Sequence, residues 1–239
     1  VLAKKEVAME LAHSRHGNPD GRTPGRLVGH GRTYDIRAAI LFGGRRRRVF
    51  GQLAAASRAR PGDRVLDVGC GTGYLTRLMA QAVTPRGSAQ GVDPSSEAIT
   101  QAQRLTRNAN CTFADGIAEA LDAPDGTYDV VVSSLMIHHL PETLRPQAIG
   151  EMLRVLRPGG SVLIAEFRPP TSRIGRHLIA AHSTAMATNR VDLLEPMVRE
   201  AGFEQPRSGD LRPWIHYVRA LKPTLPPGRH VTPTNPVAP

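Results

Sequence analysis

The segment Val65-Leu66-Asp67-Val68-Gly69-Cys70-Gly71-Thr72-Gly73-Tyr74 places an acid and three alternating glycines directly after an apolar run. Glycines spaced in this way let a backbone turn sharply and lie close against a ligand, with φ > 0 where the turn requires it. The spacing is GxGxG. In the dinucleotide fingerprint GxGxxG a third glycine would stand where Tyr74 is. Twenty residues after Gly73, Asp93 ends the run Ser88-Ala89-Gln90-Gly91-Val92-Asp93-Pro94. A carboxylate at the tip of a second strand can accept hydrogen bonds from both hydroxyls of a ribose. Farther on, His138 and His139 follow Ser134-Leu135-Met136-Ile137. Histidine is the side-chain type suited to exchanging a proton at neutral pH, so either could serve as a general base.

Positioning these groups requires a particular set of elements. Short apolar runs end at Val68, at Asp93, at the acid-glycine pair Asp115-Gly116, at Leu135 and at Phe167. Between them lie helix-like patterns such as Leu75, Leu78 and Met79. Strands alternating with helices predict a parallel α/β sheet. The piece Leu156-Arg157-Pro158-Gly159-Gly160 reads as a helix end and a turn into the fifth strand.

Taken in order, VLDVGCGTG, GVDP, FADG, DVVVSSLMIHHL and LRPGGSVLIAEF, from Arg64 to Phe167, resemble the class I S-adenosylmethionine-dependent methyltransferases. The resemblance implies a Rossmann-like α/β fold. Its seven-stranded sheet would be mostly parallel, with an antiparallel last strand and helices on both faces. S-adenosyl-L-methionine would lie across the carboxyl ends of the first strands. On the same resemblance, Gly69, Gly71 and Gly73 would pass its methionine portion and Asp67 would engage its ammonium. Asp93 would bind the ribose hydroxyls, Asp115 the adenine amino group with Gly116 alongside, and Ser134 the methionine end. A sulfonium methyl is already activated, so the chemistry needs no metal and no covalent intermediate; it needs alignment and the exclusion of water.

The resemblance also implies an N-terminal helical cap over residues 1–60, which shapes the substrate pocket. The methyltransferase domain then covers 61–221. Leu2 to Leu11, Ile36 to Phe42 and Arg45 to Ser57 read as helical pieces. Within 168–190, Ile174, Leu178, His182 and Met186 make one helical stripe, expected as a lid over the acceptor pocket. Leu193 to Gly202 reads as a helix closed by its C-terminal glycine, and Leu211 to Leu221 as the last strand or strand pair. Proline-rich 222–239 reads as a disordered tail.

Tyr34-Asp35, Leu41-Phe42-Gly43 and Glu166-Phe167-Arg168-Pro169 resemble the quinone-biosynthesis C-methyltransferases. Those enzymes usually carry an acid where Tyr74 stands and Arg-Asn where His138-His139 stand. The departures widen the expectation to methyl transfer onto O, C or N of a small, fairly apolar metabolite: a quinol, a phenol or a natural-product-like compound. A cofactor-binding protein with a non-methylating reaction or a ligand-binding role is the alternative. Tyr34 and His30 are further candidates for the acceptor side.

The charge is +10, from 31 Lys and Arg against 21 Asp and Glu. Aromatic residues make up only 4%, which argues against a base-stacking surface, so nucleic acid is disfavoured as a partner. The run Arg45 to Arg48 reads as a solvated helix face. Cys70 and Cys111 are too few for a disulfide scaffold and fit a reducing compartment. No signal-peptide core or membrane-length apolar run occurs, so a cytoplasmic location is expected. No metal is expected, because His13 with His16 and His177 with His182 lack an acid or cysteine at ligand spacing.

Overall fold

The computed structural model describes residues 44–171, 186 and 188–224. The expected helices Leu2 to Leu11 and Ile36 to Phe42 lie outside the described residues. So do His30, Tyr34, the stripe of 168–190 apart from Met186, and the tail beyond Thr224.

Chain order gives α1 (Arg46–Ala56), β1 (Arg64–Val68), α2 (Tyr74–Ala82), β2 (Ser88–Asp93), α3 (Ser96–Leu105), β3 (Cys111–Asp115) and β4 (Tyr128–Ser134). A 3-10 turn (Ile137–His139), α4 (Arg145–Val155) and β5 (Leu156–Phe167) follow. The described chain ends with α5 (Leu194–Glu200), β6 (Glu204–Leu211) and β7 (Ile215–Leu221). The seven strands form one sheet in the order β3-β2-β1-β4-β5-β7-β6. β1 to β5 pair in parallel, whereas β7 runs antiparallel to both β5 and β6.

Alternation along the central strands divides the core between the two faces. Leu66, Val131, Val162 and Ile164 pack with Ile149 and Met152 of α4 and Leu194 and Val198 of α5. Val65, Val130, Val132 and Leu163 pack with Phe50 and Leu53 of α1 and Leu75 and Met79 of α2. Because both faces are covered, the middle strands read in sequence as continuous apolar runs. α1 therefore belongs to the core of the sheet. Its Phe50 ring meets Tyr74 edge-on at 5.3 Å between centroids, and the Arg46 guanidinium lies 4.2 Å from the Tyr74 centroid. Of the four arginines expected on a solvated face, Arg45, Arg47 and Arg48 are exposed, while Arg46 is half-buried.

Two elements differ from the expectation. Leu156 already pairs with Tyr128, and the glycine pair Gly159-Gly160 forms an irregularity inside β5 rather than a turn before it. β6 begins at Glu204, ahead of the expected Leu211, because it is a polar edge strand (EQPRSGDL) held by its ladder to β7. Lys222, the first residue of the expected tail, is pinned: its N–H donates to the Gly160 carbonyl, and its Nζ to the carbonyls of Arg154 and Leu156.

The strand order reverses beside β1: β2 and β3 lie on one side of it, β4 and β5 on the other. In an open α/β sheet such a reversal parts the loops at the carboxyl ends of the two strands and leaves a crevice for a ligand. The loop from Gly69 to Gly73 and the segment from Ser134 to His139 border it.

Candidate active site

The glycine loop is built by its surroundings. Gly69 and Cys70 both donate their N–H groups to the Val92 carbonyl on β2. Gly73, at φ +74°, starts α2, and a Cβ there would fall 2.4 Å from Cε1 of Phe113. A Cβ on Gly69 would sit 2.2 Å from Cγ of Met136. Both glycines are thus required by packing. Gly71 is different: it has φ +52°, and a Cβ there would meet nothing within 4 Å. The backbone at this point faces open space, the opening a ligand lying against the loop would occupy.

Two carboxylates flank the loop. Asp93 accepts the Gly71 N–H at 2.8 Å through Oδ2 and the Ser95 N–H at 2.9 Å through Oδ1. Burial pushes its carboxyl above the ordinary value, against the pull of those two N–H donors. Asp67 is 1% exposed. Its Oδ2 accepts from the Thr76 hydroxyl at 2.6 Å, while Oδ1 is buried without a partner. Desolvation raises this carboxyl from 3.8 to about 7, only partly countered by Thr76. A buried acceptor left open is costly unless a donor arrives. An ammonium is the donor that suits it best. Next to Asp67, burial pushes the Cys70 thiol well above its usual range and Cys111 up to about 11. Neither cysteine has thiolate character.

Asp115 ends β3 in register with Asp93, and the Gly116 N–H donates to the Asp93 carbonyl at 3.1 Å. Asp115 is exposed on the rim beyond Asp93. Ser134, half-buried, ends β4 opposite Ala165 of β5. The next residue, Leu135, adopts φ +58°, uncommon for a side-chain-bearing residue, and its N–H donates to the Ala165 carbonyl. That turn carries the chain toward β5 and into the 3-10 turn bearing the histidines.

His138 lies inside this turn, buried, with Nδ1 2.6 Å from Glu166 Oε2 on β5. Glu166 Oε1 accepts the Ile137 N–H at 2.7 Å, and Oε2 also accepts from Asn189 Nδ2 at 3.1 Å. The same Asn189 nitrogen donates to the Phe167 carbonyl at 2.9 Å. Burial pushes the Glu166 carboxyl up, yet the His138 charge and hydrogen bond, the Ile137 N–H and His139 together hold it below the ordinary carboxylate value. The His139 ring lies 4.1 Å from that of His138.

The structure therefore ties Gly71 to Asp93 and Gly69 to Val92 on β2 by hydrogen bonds, holds Asp67 to α2 through Thr76, and sets Gly116 against the Asp93 carbonyl with Asp115 beside it. Met136 lies against Gly69, so the segment that carries Ser134, His138 and His139 runs beside the glycine loop. Three partners went unnoticed in sequence. Thr76 and Asn189 belong to no motif, and Glu166 stands only within the string EFRP. The last left a signal, since an acid closing the apolar run Val162-Leu163-Ile164-Ala165 must find a partner. Among the described residues no cluster of three or more His, Cys, Asp or Glu could hold a metal ion, and no helix is long and apolar enough to cross a membrane.

Comparison with known proteins bears on the family and the fold. Residues 65–160 match the family model described as a methyltransferase domain. A demethylmenaquinone methyltransferase of Symbiobacterium thermophilum is 31% identical over 79% of this chain and 72% of its own length. A ubiquinone/menaquinone biosynthesis C-methyltransferase of Stutzerimonas stutzeri is 32% identical over 64% of this chain and 60% of its own. Among solved structures, a SAM-dependent methyltransferase from Aquifex aeolicus superposes with a TM-score of 0.63 at 18% identity, covering 72% of this chain and 89% of that one. A phosphoethanolamine N-methyltransferase 2 of Haemonchus contortus, in complex with S-adenosyl-L-methionine, gives 0.62 at 18% identity, over 75% of this chain and 53% of that one. The open acceptor of Asp67, the uncovered backbone of Gly71 and the acid at the tip of β2 fit the cofactor of that fold, S-adenosylmethionine. The chain belongs to the class I S-adenosylmethionine-dependent methyltransferases.

Proposed function

We propose that the protein transfers a methyl group from S-adenosylmethionine to a small, fairly apolar acceptor, with a hydroquinone-type ring as the acceptor class. One observation supports the cofactor half of this reading: a buried Asp67 with an unpartnered Oδ1 ends the strand before a loop whose Gly71 backbone is uncovered and hydrogen-bonded to Asp93. When bound, the cofactor supplies a methyl already activated by its sulfonium.

The residues of this chain bind and orient it. Asp67 receives the ammonium of the methionine end, and Ser134 contacts the same end from β4. Gly69, Gly71 and Gly73 let the backbone lie along it. Asp93, already fixed by two backbone N–H donors, takes the ribose hydroxyls, and Asp115 with Gly116 takes the adenine edge. Holding both reactants in line can lower the barrier by roughly 7–11 kcal/mol in favourable cases. On the opposite wall His138 or His139 removes a proton from the acceptor, a contribution of about 10²–10⁴ in rate.

The printed names of the relatives from Symbiobacterium and Stutzerimonas support a quinone-type ring. Incubating the protein with S-adenosylmethionine and, in parallel, 1,4-naphthohydroquinone, catechol, phenol and a fatty acid tests the assignment. Release of S-adenosylhomocysteine with the hydroquinone above the other compounds is expected. No release with any of them, from protein that binds the cofactor, would overturn methyl transfer to this class.

A further inference from the structure

The histidine wall of the crevice contains more than a titratable ring. Glu166 presents two oxygens, and every contact they make is with a donor or with the His138 ring. Oε1 takes the Ile137 N–H at 2.7 Å, while Oε2 takes Asn189 Nδ2 at 3.1 Å and faces His138 Nδ1 at 2.6 Å. A carboxylate only accepts, so Nδ1 must carry the hydrogen of that contact. In the neutral ring the lone pair then sits on Nε2. That nitrogen makes no hydrogen bond with a described residue, and it is not among the side-chain atoms sealed from solvent without a partner.

The pair is also clamped from behind. Asn189, 23 residues beyond Glu166, uses one amide nitrogen to bridge Glu166 Oε2 and the Phe167 carbonyl. Glu166 and His138 are both only 3% exposed at the side chain. The ring is therefore fixed in place and in tautomer by three elements: the 3-10 turn, the end of β5 and the residue leading into Val191–Leu193. A carboxylate buried only to cap the turn would need Ile137 alone. The second oxygen, shared between an imidazole and an amide, has no such duty.

We propose that Glu166 and Asn189 are positioning residues that hold His138, rather than His139, with an unprotonated Nε2 facing the acceptor. The acceptor is accordingly one that must lose an O–H proton to become nucleophilic, as a hydroquinone or phenol must. In this step the acceptor O–H bond breaks and a bond from that hydrogen to Nε2 forms. The electron pair stays on the acceptor, giving a phenolate, and the imidazolium is balanced by the Glu166 carboxylate. The proton leaves to water after the product departs. This assignment rests on the methyl-transfer reading of the preceding section, yet it is testable apart from it.

The informative variant is Glu166→Gln. Its single amide oxygen goes to the Ile137 N–H, which has no other acceptor among the described residues, while Asn189 gives up this contact and keeps the Phe167 carbonyl; the NH₂ is thereby turned toward His138. Nδ1 must then accept, and the ring proton moves to Nε2, the wrong nitrogen for a base. Nitrogen NMR of ¹⁵N-histidine-labelled protein above neutral pH reads the tautomer directly. The wild type is expected to show His138 as the Nδ1–H form, and Glu166→Gln as the Nε2–H form. With 1,4-naphthohydroquinone and S-adenosylmethionine, kcat of the variant is expected to fall roughly 10²-fold with KM within about threefold. Asn189→Ala, which removes only the clamp and leaves the accepting carboxylate in place, is expected to keep the Nδ1–H form and to give a smaller fall in kcat. An Nε2–H ring in the wild type overturns the assignment, and that spectrum needs no variant to fold. An unchanged tautomer in Glu166→Gln overturns it too. Failure of the hydroquinone to react in the wild type would count against the acceptor class, while the spectrum still decides the positioning.

Discussion

Asp93 and Gly71 are joined by a hydrogen bond of 2.8 Å that crosses from the tip of β2 to the glycine loop after β1. The acid expected to hold a ribose thus also fixes the loop that passes the methionine end. Both halves of the proposed cofactor site depend on one side chain.

Replacing Asp93 with alanine therefore removes a charged acceptor from the ribose and a tether from the loop. Loss of a hydrogen bond to a charged group weakens binding by about 2 kcal/mol, or roughly 30-fold in Kd. Calorimetry with S-adenosylhomocysteine should show at least that loss. Equal affinity in the variant would contradict the ribose role.

Asp67 makes the cofactor-free protein sensitive to pH. Its carboxyl, raised from 3.8 to about 7, keeps its proton in the folded chain across a window where the unfolded chain has released it. The folded state binds more protons there, so stability falls as pH rises from about 4 to about 7, by roughly 4 kcal/mol in all. Asp67→Asn stays neutral and should lack this component. Thermal melts at pH 5 and pH 8 check it, and parallel slopes for the two proteins would contradict the prediction. An ammonium beside the carboxylate favours its ionised form, so cofactor affinity should rise with pH up to about 7 in the wild type and not through this group in Asp67→Asn.

The three glycines should separate into two kinds. Gly73→Ala drives a methyl into Phe113 and Ala102 and Gly69→Ala into Met136, so both should lower Tm strongly. Gly71→Ala meets no protein atom and costs only the left-handed backbone, about 1–2 kcal/mol. It should nonetheless cost cofactor affinity at least tenfold, because the added methyl projects where the ligand lies. Intact binding in Gly71→Ala would show that the opening serves something else.

A core methionine serves as a control. Met152 of α4 is fully buried, and truncation to alanine should cost about 2–5 kcal/mol of stability. Since it enters none of the hydrogen bonds that build the site, affinity measured well below the melting temperature should be unchanged.

How much of this was legible in the sequence follows from where each signal resides. The central strands announce themselves because burial on both faces demands apolar runs, as in Val130-Val131-Val132. The glycine loop and Asp93 lie within one βαβ unit, so their spacing is fixed locally. β6 was missed because Glu204–Leu211 is a mostly exposed polar edge that draws its stability from β7. The links from Thr76 to Asp67 and from Asn189 through Glu166 to His138 are decided by side-chain direction and by register between separate elements. Composition and periodicity hold neither.

The central claim is that the Gly69–Gly73 loop and Asp93 together form the cofactor site. Calorimetric titration of the wild type, Gly71→Ala and Asp93→Ala with S-adenosylmethionine at pH 8 tests it most directly. The account predicts one site per chain in the wild type and at least tenfold weaker binding in each variant. No heat of binding at millimolar cofactor, or equal affinity in all three proteins, would contradict it.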